Sequence, residues 1–122
     1  SMPVTEEIKD AARQLGQALS QDDYIHLYLD TLRETRTDPD AGALEKKMYE
    51  VYEGLIERQQ ADEELNQEDT RAFYELRHQV QNHPLIAKRN DMLNSIRPYL
   101  RRVAEEINLV LGVDFAALAR SQ

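Results

Sequence analysis

Residues 84–112 read PLIAKRNDMLNSIRPYLRRVAEEINLVLG and carry the most informative pattern of the chain. Six apolar residues recur there at alternating steps of three and four, which is the a/d spacing of a helix with one continuous apolar seam: Leu93, Ile96, Leu100, Val103, Ile107 and Val110. Pro98 lies inside this seam, and an interior proline usually breaks or kinks a helix. Because the apolar phase is the same on both sides of Pro98, the pattern predicts one helix over residues 84–111, kinked near residues 94–97, with Gly112 as its stop.

The remaining sequence predicts four more helices and no strand, because apolar residues recur at three and four and never alternate convincingly. The expected ranges are 6–19, 23–36, 39–61 and 68–81. Thr5 and Asp38 are expected N-caps, Pro39 suits the first position of a helix, and Asp114 is expected to cap a short final turn. The chain is therefore predicted to be all-α, with about five helices.

Two of these helices, the third and the fifth, are long enough to indicate self-association. At 1.5 Å per residue they span about 35 and 42 Å, whereas a compact chain of this length is roughly 35 Å across. A projecting helix with a sustained apolar seam needs a partner. We therefore expect an elongated helical bundle that forms a two-fold homodimer, with the seam as the contact between chains or with another protein.

The length of 122 residues and the composition indicate one domain. Ser1 before Met2 indicates a remnant of an expression tag, so we expect a disordered start over residues 1–4, a single helical domain over residues 5–119 and a tail over residues 120–122. No apolar run approaches the roughly 20 residues needed to cross a membrane, and no apolar signal region opens the chain. A cytoplasmic protein without membrane insertion is expected.

Motifs for catalysis, metal binding or cofactor binding are not found. The chain has no cysteine, and His78 and His83 are five residues apart, which does not place two ligands on one helix face. A capping role is sufficient for His83, at a helix boundary. Residues 38–42, DPDAG, superficially suggest a calcium loop but lack its glycine and glutamate at the required positions. We therefore expect no catalytic residue, metal or cofactor; a carboxylate-based active site between helices is the enzymatic alternative.

The charge of the chain is divided unevenly along the sequence. Residues 1–70 hold seven basic and eighteen acidic residues, a net charge of −11, whereas residues 71–122 hold eight basic and five acidic residues, a net charge of +3. The halves could pair within the fold or across a dimer. Alternatively, a basic stripe within residues 71–102 could meet RNA or an acidic partner. The residues proposed for that basic face are Lys88, Arg97, Arg101 and Arg102.

Five short segments of the chain, taken in order, resemble the YlbF/YmcA family of small bacterial helical proteins. The resemblance covers residues 5 to 118, and its specificity comes from the order and separation of the segments. They are Ile8 with Ala11-Ala12-Arg13-Gln14-Leu15-Gly16; Tyr24 and Tyr28; Asp38-Pro39-Asp40-Ala41; Val80-x-x-His83-Pro84-Leu85-Ile86; and Leu111-Gly112-Val113-Asp114-Phe115.

The resemblance implies an all-helical regulatory or adaptor protein that oligomerises and acts through protein partners. Members of the family are associated with competence, sporulation and biofilm formation, and with assisting a membrane-linked ribonuclease in messenger-RNA processing. The family offers no catalytic residues to carry over. Some members have cysteines linked to an iron–sulfur cluster, a role to which this cysteine-free chain does not conform. Direct RNA binding by residues 71–102 is the alternative function.

Overall fold

The computed structural model describes residues 1–120, which form six helices and no strand. The helices are α1 Glu6–Gln21, α2 Asp23–Thr37, α3 Pro39–Gln60, α4 Gln67–Asn82, α5 Pro84–Leu111 and α6 Phe115–Ala119. The all-α prediction is confirmed, and α5 continues without a break through Pro98. A kink at Pro98 stays a prediction. Residues 121 and 122 of the predicted tail lie outside the described residues.

The starts of α1 and α3 are fixed by the two side chains that were expected to cap them. Thr5 Oγ1 accepts a hydrogen bond from the backbone N–H of Ile8 at 3.3 Å, and Asp38 Oδ2 accepts one from that of Ala41 at 2.8 Å. Each bond satisfies a donor that a helix start would otherwise leave unpaired. Both predicted caps are therefore confirmed.

The end of α5 and the start of α6 lie at the residues that the sequence predicts. Gly112 adopts the left-handed conformation with φ of +77°, as a helix stop requires. Asp114 occupies the N-cap position of α6, but its side chain makes no capping hydrogen bond. Asn108 supplies the bond instead, because its Oδ1 accepts from the backbone N–H of Phe115 at 2.7 Å. The predicted N-cap position of Asp114 is therefore confirmed, and the capping hydrogen bond comes from Asn108.

The chain divides into two compact units, and α2 and α5 contribute to both. Unit 2 covers residues 29–90, in which α3 packs against α4. Its core is a cluster of apolar side chains in which Ala41, Val80 and Ile86 are buried, with Leu44 and Met48 packed against them. The segments around Asp38-Pro39-Asp40-Ala41 and Val80…Ile86, far apart in sequence, thus meet in this core.

Unit 1 combines residues 1–28 with the chain from residue 91 onward. Ile25 and Ile96 are its buried apolar residues among those described, whereas α1 buries none of its side chains. Unit 1 therefore leaves more of its large apolar side chains exposed to solvent than unit 2 does. Among the described residues, no helix combines the length and apolar character that crossing a membrane requires.

Candidate interaction surfaces

Asp22 links the start of α2 to α5 within unit 1. Its Oδ1 accepts a hydrogen bond of 2.6 Å from the hydroxyl of Tyr99, and its Oδ2 accepts from the backbone N–H groups of Tyr24 and Ile25 at 3.0 and 3.1 Å. The Tyr99 hydroxyl, followed by these N–H groups, lowers the pKa of the Asp22 carboxyl below its ordinary value. The same bond raises the pKa of Tyr99. Asp22 therefore remains ionised and structural at neutral pH.

His83 joins the turn between α4 and α5 to the start of α3. Its Nδ1 accepts from the backbone N–H of Leu85 at 3.3 Å, which confirms the expected capping role. In the neutral ring the proton is then on Nε2, which lies 3.3 Å from Asp40 Oδ2 and 3.6 Å from Asp38 Oδ2. No motif or spacing in the sequence predicts this contact, because His83 is more than forty positions away from Asp38 and Asp40.

The ligand atoms of Asp38, Asp40 and His83 lie within 4.8 Å of one another, so these three side chains could hold a divalent cation. The contacts also have a structural explanation that needs no ion. Asp38 caps α3, the ring of His83 caps α5, and the proton on Nε2 meets both carboxylates. We therefore assign this cluster to the fold of unit 2.

Arg89 lies on the seam side of α5, one step before Leu93, and a charge at that position predicts a side chain that either reaches the edge of the helix or pairs with an acidic residue of another helix. It forms a bidentate pair with Glu45 of α3, with N···O distances of 2.7 and 2.9 Å. The two side chains are 17% and 35% exposed, so the pair is partly shielded from water. The pairing is confirmed. Beside it lies a cavity of about 340 Å³ whose further lining includes Met48, Tyr49 and Tyr52.

The six residues of the predicted seam differ in exposure along α5. Ile96 is 3% exposed, whereas Leu100 is 37% and Val110 is 88% exposed. The others are half-buried: Leu93, Val103 and Ile107. The chain itself therefore covers the seam most completely at Ile96, and the seam is open at Leu100 and at Val110.

Six large apolar side chains near the C-terminal end of the described chain are all exposed, and we call this group the apolar end. These are Leu109, Val110, Leu111, Val113, Phe115 and Leu118. Single exposed apolar residues are common on protein surfaces, but six within ten consecutive residues are not. The apolar end is the largest concentration of exposed apolar side chains in the described sequence.

An acidic groove of about 640 Å³ lies beside the apolar end. Glu105, Glu106 and Asp114 supply its carboxylates, and Leu109 and Val113 supply apolar surface. The remaining lining residues are Asn108 and Gly112, so no basic side chain lines the groove. The groove is therefore suited to a partner that offers a cation together with an apolar contact.

The four residues of the proposed basic face are not equivalent. Lys88 lies 3.8 Å from Glu34 in unit 2, and Arg97 donates to Asn94 Oδ1 at 3.0 Å in unit 1. Arg101 and Arg102 are exposed and make no ion pair within residues 1–120. These two guanidinium groups are therefore the part of the face that is available to a partner.

Comparisons with known proteins support the resemblance that the motifs indicated. The model of a family described as "Control of competence regulator ComK, YlbF/YmcA" matches residues 8–109. UPF0342 proteins of Lactobacillus acidophilus and Lactobacillus helveticus are 34% and 35% identical to the chain over 79 residues, which is 65% of this chain and 68% of each relative. No solved structure matches the chain. The matched range includes the contacts of Asp22, His83 and Arg89 and the proposed basic face. It ends at Leu109, so the rest of the apolar end and the part of the acidic groove formed by residues 112–114 lie beyond it.

Proposed function

This chain belongs to the YlbF/YmcA family, and from that membership we propose that it is a non-catalytic adaptor that binds other proteins and acts as a homodimer. The family is described by its control of a competence regulator, so its members are regulatory proteins. Competence, sporulation or biofilm control and messenger-RNA processing are the processes proposed by resemblance. The structure adds a candidate surface to this proposal.

The observation that carries the proposal is the exposed apolar end. Burying one large aliphatic side chain is worth about 1.5–3 kcal/mol, so an exposed set of six offers a partner a large gain in binding free energy. Val110 belongs both to the apolar end and to the predicted seam. We infer that the partner contacts the open residues of the seam, Leu100 and Val110, while the covered residue Ile96 holds the helix in place.

Capture from native cells, followed by quantitative mass spectrometry, tests this surface with a matched pair of variants. Val110→Asp places a charge in the apolar end, and Val4→Asp makes the same change at an exposed valine before α1. We expect the wild-type chain and the Val4→Asp variant to retain the same proteins, and the Val110→Asp variant to lose them. Circular dichroism checks that all three have the same helix content. Repeated capture of no protein, or equal capture by both variants, would contradict the proposal.

Direct RNA binding is the second candidate, and it is favoured by the guanidinium groups of Arg101 and Arg102, which make no ion pair within residues 1–120. The groove next to them is acidic, and the whole chain carries a net charge of −8, both of which repel a polyanion. A gel shift with structured RNA at low ionic strength separates the two functions. RNA binding that weakens steeply with salt and is lost in Arg101→Glu would favour the RNA-binding function. If no RNA binding is detected, protein binding is the function that is left.

A further inference from the structure

The side of α5 opposite the apolar seam carries a second regular row of residues, which we call the outer strip. Its members follow one another at steps of three and four, the spacing that keeps residues on one face of a helix. They are Ser95, Pro98, Arg102, Glu105, Leu109 and, directly after the helix, Gly112. All six are exposed. The strip is thus a continuous helix face that the chain does not cover.

The outer strip is self-complementary about the midpoint between Val103 and Ala104. When two copies of such a helix pair antiparallel about a two-fold axis, residues at equal distances on either side of the midpoint face each other. Arg102 then faces Glu105 of the second copy, so that each basic residue meets an acidic one. By the same rule Pro98 faces Leu109, which pairs two apolar side chains, and Ser95 faces Gly112, which pairs the two smallest.

The acidic groove supplies a binding site for a basic side chain in the same antiparallel pairing. Glu105, Leu109 and Gly112 form the C-terminal half of the strip and also line the groove, together with the carboxylates of Glu106 and Asp114. The N-terminal half of the strip offers Arg102, which has no ion pair within residues 1–120. Within residues 1–120, each copy therefore has one half lined by carboxylates and one half whose cation, Arg102, makes no ion pair.

We propose that the occupant of the outer strip is a second copy of this chain, bound antiparallel, with Arg102 of each copy seated in the acidic groove of the other. The inference rests on the proposed homodimer and adds its contact surface and its direction. From Ser95 to Gly112 the strip is roughly 26 Å long. A contact confined to one helix face of this length buries less surface than a standard interface, which buries about 800 Å² per partner. We consequently expect a weak dimer whose dissociation constant rises with salt.

Charge reversal on the full chain tests the pairing, with sedimentation velocity as the measurement. Arg102→Glu makes both charged positions of the strip acidic, and Glu105→Arg makes both basic. Each variant alone should raise the dimer dissociation constant about tenfold or more, because two ion pairs become two repulsions. An equimolar mixture of the two variants should form a heterodimer, and the double variant Arg102→Glu/Glu105→Arg should restore the homodimer.

Lys47→Glu is the matched control, since Lys47 is exposed on α3 and the same charge change there leaves the strip intact. Its dissociation constant should equal that of the wild-type chain. A dimer that tolerates both charge reversals, or whose loss is not recovered by mixing or by the double variant, overturns the outer strip as the contact while the homodimer stands. A wild-type chain that is monomeric at every concentration overturns both, and leaves partner capture through the apolar end to be judged separately.

Discussion

The hydroxyl of Tyr99 donates a hydrogen bond of 2.6 Å to Asp22 Oδ1 across 77 positions of sequence. The other carboxylate oxygen of Asp22 accepts from two backbone N–H groups at the start of α2. One carboxylate thus both caps a helix and holds α5 against that helix start. The rings of Tyr24 and Tyr99 lie 6.1 Å apart beside it, so the hydrogen bond is flanked by an aromatic contact.

Replacing Tyr99 with Phe removes this hydrogen bond and keeps the ring. We expect the pKa of Asp22 to rise toward its ordinary value of 3.8, because the largest cause of its lowered pKa is gone. A carboxyl whose pKa is lower in the folded than in the unfolded chain stabilises the fold above its ordinary pKa, and this stabilisation is lost as pH falls through the folded pKa. The variant should therefore melt at a lower temperature than the wild type at pH 7, and the difference should shrink below pH of about 4.

Carboxyl carbon NMR across an acid titration measures the pKa of Asp22 directly. Melting curves at pH 7 and pH 3 measure how the stability difference between the variant and the wild type depends on pH. Tyr74→Phe is the control, because Tyr74 is exposed and its hydroxyl makes no hydrogen bond within residues 1–120. A pKa of Asp22 that is the same in Tyr99→Phe and in the wild type would show that the hydroxyl does not set it.

The helices and their ends could be predicted from sequence because they depend on neighbouring residues. Thr5, Asp38 and Gly112 each act within four positions of their own backbone. Arg89 could also be predicted to need a partner, since a charge on an apolar helix face is costly to leave unpaired. Its partner, Glu45, could not be named, because the sequence holds many carboxylates and no periodicity links α3 to α5.

The surfaces were harder to predict because they depend on which faces the fold covers. The seam pattern of α5 is the same whether another helix of the chain or a second molecule lies on it, and only the structure shows Ile96 buried and Val110 open. The outer strip combines apolar, small and charged residues, so no apolar periodicity marks it. Its complementarity is visible only once α5 is known to be continuous through Pro98.

Asp38 and Asp40 both approach His83, but they should contribute unequally to stability. Asp38→Ala removes the N-cap of α3 as well as the contact with His83, and should cost roughly 1 kcal/mol or more in the free energy of unfolding. Asp40 is 81% exposed and caps nothing, so Asp40→Ala should cost below about 0.5 kcal/mol. Urea unfolding at neutral pH measures both. If Asp40→Ala proves at least as destabilising as Asp38→Ala, the capping account of this cluster is wrong.

Arg89 and Glu45 should show energetic coupling, since their bidentate pair is partly shielded from water. We expect a double-mutant cycle of Arg89→Met and Glu45→Gln to give a coupling free energy of about 1 kcal/mol or more. The pair of Lys88 and Glu34 is the matched reference. Its single contact of 3.8 Å is exposed on both sides, so the cycle of Lys88→Met and Glu34→Gln should give below about 0.5 kcal/mol. Equal coupling in the two cycles would contradict the role assigned to burial.

Pro98 lies on the exposed side of α5, where the carbonyl of Asn94 loses its helical N–H partner to the proline ring. Water can satisfy that carbonyl, which explains how the helix tolerates Pro98. Pro98→Ala restores the hydrogen bond and a residue of high helix propensity, so we expect the free energy of unfolding to rise by about 1–3 kcal/mol. Urea unfolding measures this change, and an unaltered or lower stability would contradict it.

The same variant tests the predicted kink, because the chain has no native cysteine to interfere with site-directed labels. Spin labels on Asp91→Cys and Glu106→Cys lie on either side of Pro98, at exposed positions of α5. A straight helix would separate their backbones by about 22 Å. Diluting the labelled chain in unlabelled protein leaves only the distance within one molecule. If Pro98 bends α5, the distance between the two labels should differ in Pro98→Ala, because the helix on either side of residues 94–97 then realigns. An identical distance with proline and with alanine at position 98 would mean that α5 is already straight with proline in place.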